Sequence, residues 1–279
     1  MEKIKIVTDS TADLPKSIVK KYGIQVIPLL VKLEEETYKD GLDIFLKELL
    51  DRMDKSETFP TTSQINPQRF LEHYKKYLSE GYKIVSIHLS SKMSGTYQSA
   101  CIAKDMLDTE DIVVIDSLNV TSGLGILAVK AAILKEKGFS IDEIEAEIKN
   151  TIPHVKSALA FEHLDNLVKG GRLSKTAGVI GNLLGIRPIL GVVNGEMAVI
   201  DKVRGSKKAT RYIIEYMNEK GIKEEEPMSL LQVENDDVRL KLKEYLEENN
   251  NDFMECEVGC VVGVHAGRGA CGVFFIEKY

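Results

Sequence analysis

The sequence predicts an α/β protein of two subdomains, the first mostly a parallel sheet with crossover helices and the second a mixed or antiparallel sheet. Three observations carry this. In the first half, short Val/Ile-rich runs alternate with stretches of helical periodicity, the pattern of βα units. From about residue 154 the rhythm changes to closely spaced strand-like runs, two of them joined by the turn dipeptide Asn194-Gly195. Small polar residues gather where the first-half strands end, and open α/β sheets bind ligands in the crevice beyond those ends.

Element by element, KIKIVTD (3–9) reads as a strand and Leu14 to Tyr22 as the helix after it. VIPLLVKL (26–33), YKIVSIHLS (82–90) and DIVVIDS (111–117) are further strands. The last two flank the helical pattern SGTYQSACIAKDML, as parallel strands with a crossover require. A largely apolar helix covers VTSGLGILAVKAAILK (120–135), fit for a core or for a long apolar pocket wall. VKSALAFE begins the second unit, RPILGVVNGEMAVIDKV forms a hairpin, and PMSLLQVEN adds a strand. A helix over 235–248 and a terminal strand pair in CVVGVHAGRGACGVFFIEK complete the reading. The subdomains are expected at about 1–154 and 155–279, with no low-complexity linker between them.

Composition narrows the function classes. The 279 residues carry 37 Lys+Arg against 43 Asp+Glu, a formal charge of −6, which argues against a nucleic-acid footprint. No apolar run approaches a membrane span, and MEKIKIVTDS reads as a charged strand rather than a signal peptide, so a cytoplasmic location is expected. Cys101, Cys256, Cys260 and Cys271 are too unevenly placed for a disulfide framework. Three of them with His265 offer zinc ligands, but the spacing is not that of a familiar finger; buried thiols acting as small apolar groups are the expectation, with no metal and no cofactor. The chain lacks GxxxxGK[ST], GxSxG and HExxH, which removes sequence support for P-loop, esterase and zinc-protease chemistry.

Several stretches remain that can hold a ligand. PTTSQINP (60–67) presses Thr61, Thr62, Ser63 and Gln64 between two prolines, ahead of a helix opened by Pro67. In SSKMSGTYQSA (90–100), Ser94 is read as a helix cap and Gly95 as a point of close backbone approach; ordinary capping accounts for this turn alone, and an anion seat accounts for it beside a second donor cluster. His265 is read at the end of an apolar strand before a glycine-rich turn, either as a structural hydrogen-bonder or as a ligand group. His73, His88, His154 and His163 fall in helical or strand patterns and are assigned structural places. The run 167–190 carries Gly178, Gly181 and Gly185, which suit close packing or a lid over an apolar pocket. It also carries Arg172 and Lys175, either solvated or open to a partner.

TDSTADL, the YKDG tetrad at 38–41, PTTSQ, SSKMSGTYQSA, GGRLSKTAG, IRPIL, KVRGSKKA at 202–209 and VGVHAGRGACG follow one another in this order. Over essentially its whole length the chain resembles the DegV family. The resemblance implies a two-part α/β protein of bacterial type that binds one long-chain fatty acid between its parts, with the tail buried. It also implies a part in phospholipid metabolism, as a non-catalytic FakB-like subunit presenting the acid to a separate fatty acid kinase that makes acyl phosphate. Carried over by motif, the carboxylate would lie against Thr62, Ser94 and His265; the residues themselves add Ser63 and Gly95 beside it, and Arg172 as either a docking contact for the partner or a solvated charge. Met93 stands where leucine is common and Arg268 where proline is, which puts the charge of the pocket mouth in question. The rival reading is an enzyme similar to dihydroxyacetone kinases, with His265 bonding a small carbonyl substrate.

Overall fold

Alternating Ile and Val side chains bury both faces of the strands that open the chain, and this forces them into the middle of a layered structure. In the computed structural model, which describes residues 2–174 and 185–279, β1 (Ile4–Asp9) is followed by α1 (Lys16–Tyr22), then β2 (Gln25–Ile27), β3 (Leu30–Leu33) and β4 (Glu36–Lys39). Helix α2 (Leu46–Met53), β5 (Thr61–Ser63), α3 (Pro67–Ser79), β6 (Lys83–His88), α4 (Thr96–Asp105), β7 (Ile112–Asp116), α5 (Ser122–Glu136) and α6 (Ile141–Thr151) complete the first half. The second half holds β8 (Val155–Ala160), α7 (Asp165–Lys169), β9 (Ile186–Val193), β10 (Glu196–Arg204), α8 (Ser206–Lys220), β11 (Ser229–Val233), α9 (Asp236–Glu248), β12 (Met254–Glu257), α10 (Cys260–Ala266) and β13 (Ala270–Ile276).

These strands form a parallel sheet in the order β2-β1-β6-β7, a small antiparallel sheet β4-β3-β5, and a six-stranded sheet β10-β9-β8-β13-β11-β12. In the third sheet only β11 and β12 pair in parallel. The α/β class, with its mostly parallel first sheet and mixed second one, is as the sequence predicts. The hairpin turn falls at Asn194-Gly195, whose φ angles of 51° and 87° give the left-handed pair that a two-residue turn needs.

Two expected strands differ. The run 26–33 is two strands in two sheets, because Pro28 has no N–H to continue the ladder; Leu29 N–H donates instead to Ser10 Oγ at 3.0 Å. The segment Cys260–Ala266, expected as a strand, is helix α10. Its first amides find acceptors outside the segment, described below with the site. Lys175, Gly178 and Gly181, and with them the lid reading of the glycine run, lie outside the described residues.

Helix α5 is apolar on every side because both sides are covered. It packs on β1 and β6 of the parallel sheet and on β8, β11 and β13 of the six-stranded one. Leu124, Ile126, Leu127, Val129 and Ala131 are buried there, in the same cluster as Phe274 and Leu159. Burial on this scale, at about 25 cal/mol per Å² of apolar surface, holds the two sheets around one helix and fixes the crevice beside it. Lys130 on this helix is buried as well, and it pairs with Glu147 at 3.0 Å and with Glu226. No described helix is long and apolar enough to cross a membrane.

Candidate functional site

PTTSQINP folds as a short strand and a helix cap. Thr61, Thr62 and Ser63 pair antiparallel with β3, Thr62 opposite Val31; Thr61 and Ser63 are exposed and Thr62 is half-buried. Ile65 is fully buried and pins the segment. Asn66 then accepts a hydrogen bond from Arg69 N–H at 3.0 Å, and Pro67 occupies the first helical position of α3.

The second donor cluster opens α4. Ser94 N–H and Met93 N–H both donate to Ser90 C=O, at 3.1 and 2.9 Å, and Ser94 Oγ accepts from Thr96 N–H at 3.3 Å. The cap position is Gly95, one residue after the expected one. A Cβ on Gly95 would lie 2.0 Å from Gln64 Oε1, so the missing side chain leaves room for the Gln64 amide against the α4 start. Gln64 Nε2 donates onward to Ser99 Oγ at 3.2 Å. Ser90 O–H reaches across to Gly195 C=O at 2.7 Å, tying this turn to the second-half hairpin.

His265 sits in the last turn of α10. Three valines make that segment a poor helix former by propensity, so its start is held by distant carboxylates. Gly259 N–H donates to Asp13 Oδ1 and Cys260 N–H to Asp40 Oδ1, each at 2.7 Å. Asp13 also accepts the Thr121 hydroxyl at 2.5 Å. Burial raises both carboxyls above the usual aspartate range.

The result is a meeting of residues 203 positions apart: Thr62 Oγ1 and His265 Nε2 share a hydrogen bond of 2.9 Å. His265 Nδ1 is buried with no hydrogen-bond partner among the described residues. Burial, helped by the nearby Arg172 guanidinium, lowers the ring's pKa to about 4, so it is neutral at pH 7. Arg172 donates through Nη1 to Gly170 C=O at 2.6 Å and through Nη2 to Met93 C=O at 3.1 Å, so both ends of its fork are engaged inside the fold.

Thr62, Ser63, Ser94, Gly95, Arg172 and His265 all line one cavity of about 190 Å³. Most of the remaining wall is aliphatic, from Leu29, Leu89, Leu159, Val233, Val258 and Val262 among others, with Phe161 and Met197. Sequence reasoning missed Thr11 and Thr121 on this wall, and it named Gln64 only as part of the PTTSQINP stretch. Thr121 has φ 50°, unusual for a β-branched residue, and no sequence pattern announces it. Thr11 sits inside the TDSTADL run, one residue beyond the strand-end group Thr8, Asp9 and Ser10, and its hydroxyl donates to Asp9 Oδ1 at 2.5 Å.

Arg268 is not on the wall. It pairs with Asp51 at 2.7 Å, Asp54 at 3.2 Å and Glu234, so its charge is answered by three carboxylates. Among the described residues no group of three or more His, Cys, Asp or Glu is placed to hold a metal ion; Cys256 and Cys271 are buried thiols pushed up to about 12. His73 lies on α3 and His88 on β6, whereas His154 is in a 3-10 turn and His163 in the loop after β8. His88 joins a buried chain with Asp9, Ser86 and Tyr74 that superficially has the makeup of a hydrolytic triad. Ser86 is fully buried and already accepts the Tyr74 hydroxyl at 2.8 Å, so no substrate reaches it.

The family model described as "Uncharacterised protein, DegV family" matches residues 3–278. A DegV domain-containing protein of Clostridium acetobutylicum is 62% identical over 279 residues, all of both chains. Among solved structures, a DegV family protein of Thermus thermophilus described by its fatty acid binding superposes with a TM-score of 0.91 at 29% identity, covering 99% of this chain and 100% of the other. DegV of Bacillus subtilis, a fatty acid binding protein, gives 0.88 at 33% identity with full coverage of both.

Proposed function

This chain belongs to the DegV family, and on that premise we propose that it binds one long-chain fatty acid without acting on it and presents the carboxylate to a separate fatty acid kinase. The observation that carries the reading is the 2.9 Å contact of Thr62 with a neutral His265 on a cavity whose wall is otherwise largely aliphatic. Thr62 and Ser94 offer hydroxyls to the carboxylate, His265 backs Thr62, and Ser63 and Gly95 border the head group. The tail runs along the aliphatic wall, between the units at about 1–154 and 155–279.

Magnitudes favour this division of roles. A tail of about fifteen methylenes at roughly 0.8 kcal/mol each contributes on the order of 12 kcal/mol of burial, whereas each hydrogen bond to the charged head adds about 1.5–3 kcal/mol. The tail supplies affinity and the hydroxyls orient the acid. After association costs, a micromolar or tighter dissociation constant is expected.

The covalent rival needs a free histidine nitrogen facing substrate. His265 Nε2 is engaged by Thr62 and Nδ1 is buried, so the observations favour the carrier. With no nucleotide motif in the sequence, phosphorylation of the bound acid is assigned to a partner that brings ATP and magnesium, and positioning is this chain's share. The test is to mix the lipid-loaded chain with ATP and magnesium, with and without a fatty acid kinase, and trap acyl phosphate with hydroxylamine. Product only with the kinase is expected; product from the chain alone overturns the reading.

A further inference from the structure

The neutral His265 ring carries one hydrogen, and its two nitrogens face different surroundings. Nε2 faces Thr62 Oγ1 at 2.9 Å. Nδ1 is buried without a partner, and what stands in front of it is Gly170: a Cβ built there would lie 2.1 Å from Nδ1 and 2.8 Å from Cε1. The glycine Cα hydrogen therefore occupies the space that an Nδ1 hydrogen would enter; the carbonyl near that point, Asn166 C=O at 3.1 Å from it, already accepts Gly170 N–H at 2.8 Å and makes no bond with Nδ1. A buried N–H donor left unmade costs about 1–3 kcal/mol, and a steric conflict adds to it, whereas a lone pair against a Cα–H is an ordinary contact.

Gly170 is itself held in place. Its carbonyl accepts Arg172 Nη1 at 2.6 Å, and the other arm of the same guanidinium binds Met93 C=O at 3.1 Å, next to Ser94. One arginine thus fastens the backbone beside the histidine to the turn that bears the second hydroxyl.

We propose that Gly170, fastened by Arg172, is a positioning residue that holds His265 as the Nε2–H tautomer. In that tautomer Nε2–H donates to Thr62 Oγ1, and the threonine's own hydrogen is free to be donated into the cavity. In the other tautomer Nε2 accepts from Thr62, which would then turn only lone pairs toward the ligand and repel a carboxylate. The identity of one small residue outside the donor set therefore decides whether the cavity accepts an anion. The significance for binding rests on the fatty acid reading; the tautomer itself does not.

The test is nuclear magnetic resonance of the full chain labelled with ¹⁵N-histidine, its five rings distinguished with the aid of His265→Ala. The expected result is a protonated Nε2 and a bare Nδ1 for His265 at neutral pH. Gly170→Ala should displace the ring, move both nitrogen resonances and weaken fatty acid binding about tenfold, the equivalent of one hydrogen bond of ~1.4 kcal/mol. Its circular dichroism should match that of the parent. A protonated Nδ1 in the unaltered chain overturns the proposal, with no variant needed, and so do unmoved His265 resonances in Gly170→Ala. If the unaltered chain shows the Nε2–H tautomer yet binds no fatty acid, the functional reading fails and the positioning inference stands.

Discussion

Thr62 and Ser94 are small hydroxyl residues whose removal leaves little void, so their variants separate binding from folding. Thr62→Ala and Ser94→Ala should each weaken fatty acid binding by about 1–3 kcal/mol, the effect of leaving a buried carboxylate one donor short. Titration with a fluorescent fatty acid measures this, and unchanged affinity in both variants places the carboxylate elsewhere. His265 sets a pH dependence. Its folded pKa of about 4 lies below the ordinary 6.5, so between these values the unfolded chain binds a proton that the folded chain refuses. Stability of the ligand-free chain should therefore be intact above pH 6.5 and fall as the pH is lowered toward 4, by at most about 3 kcal/mol from this group. Urea denaturation at several pH values, compared with His265→Gln, isolates the contribution of this ring. A variant that loses as much stability as the parent over this window shows that His265 is not its source.

Helix α10 is where local preference and tertiary structure part company. VVGVHA has the β-branched content of a strand, and it is a helix because Asp13 and Asp40, 246 and 220 positions away, accept its first amides. Those acceptors are invisible to any window along the chain, which is why the segment reads as a strand in sequence. The pairing of Thr62 with His265 is likewise a product of fold, although each residue alone is identifiable from its setting between prolines or before glycines. By contrast, the Asn194-Gly195 turn and the α3 cap at Asn66-Pro67 are legible because their chemistry is contained in two adjacent residues. The break at Pro28 went unread, although its cause, the missing N–H, belongs to a single residue. Asp40→Ala should destabilise the chain by about 1–3 kcal/mol and, by loosening α10, also weaken fatty acid binding although Asp40 is not on the cavity wall. Asp13→Asn should be milder than Asp13→Ala. Burial already disfavours the charged form of Asp13, and asparagine keeps an acceptor for Gly259 N–H. Thermal melts with parallel titrations would check both, and a destabilised Asp40→Ala that binds with full affinity would uncouple the cap from the site.

At the scale of the whole molecule, two sheets clasp one apolar helix, and the donors of the cavity come from both halves. β5 and the α4 turn belong to the first, and α10 and the Arg172 segment to the second. On the fatty acid reading, this enclosure holds the acid without bonding to it. Mass spectrometry of the purified chain, under native and then denaturing conditions, distinguishes held from bonded acid in one sample. A long-chain fatty acid present in the native spectrum and absent after denaturation is the predicted result. An adduct that survives denaturation, or a chain that takes up no fatty acid even when it is supplied in excess, would contradict it.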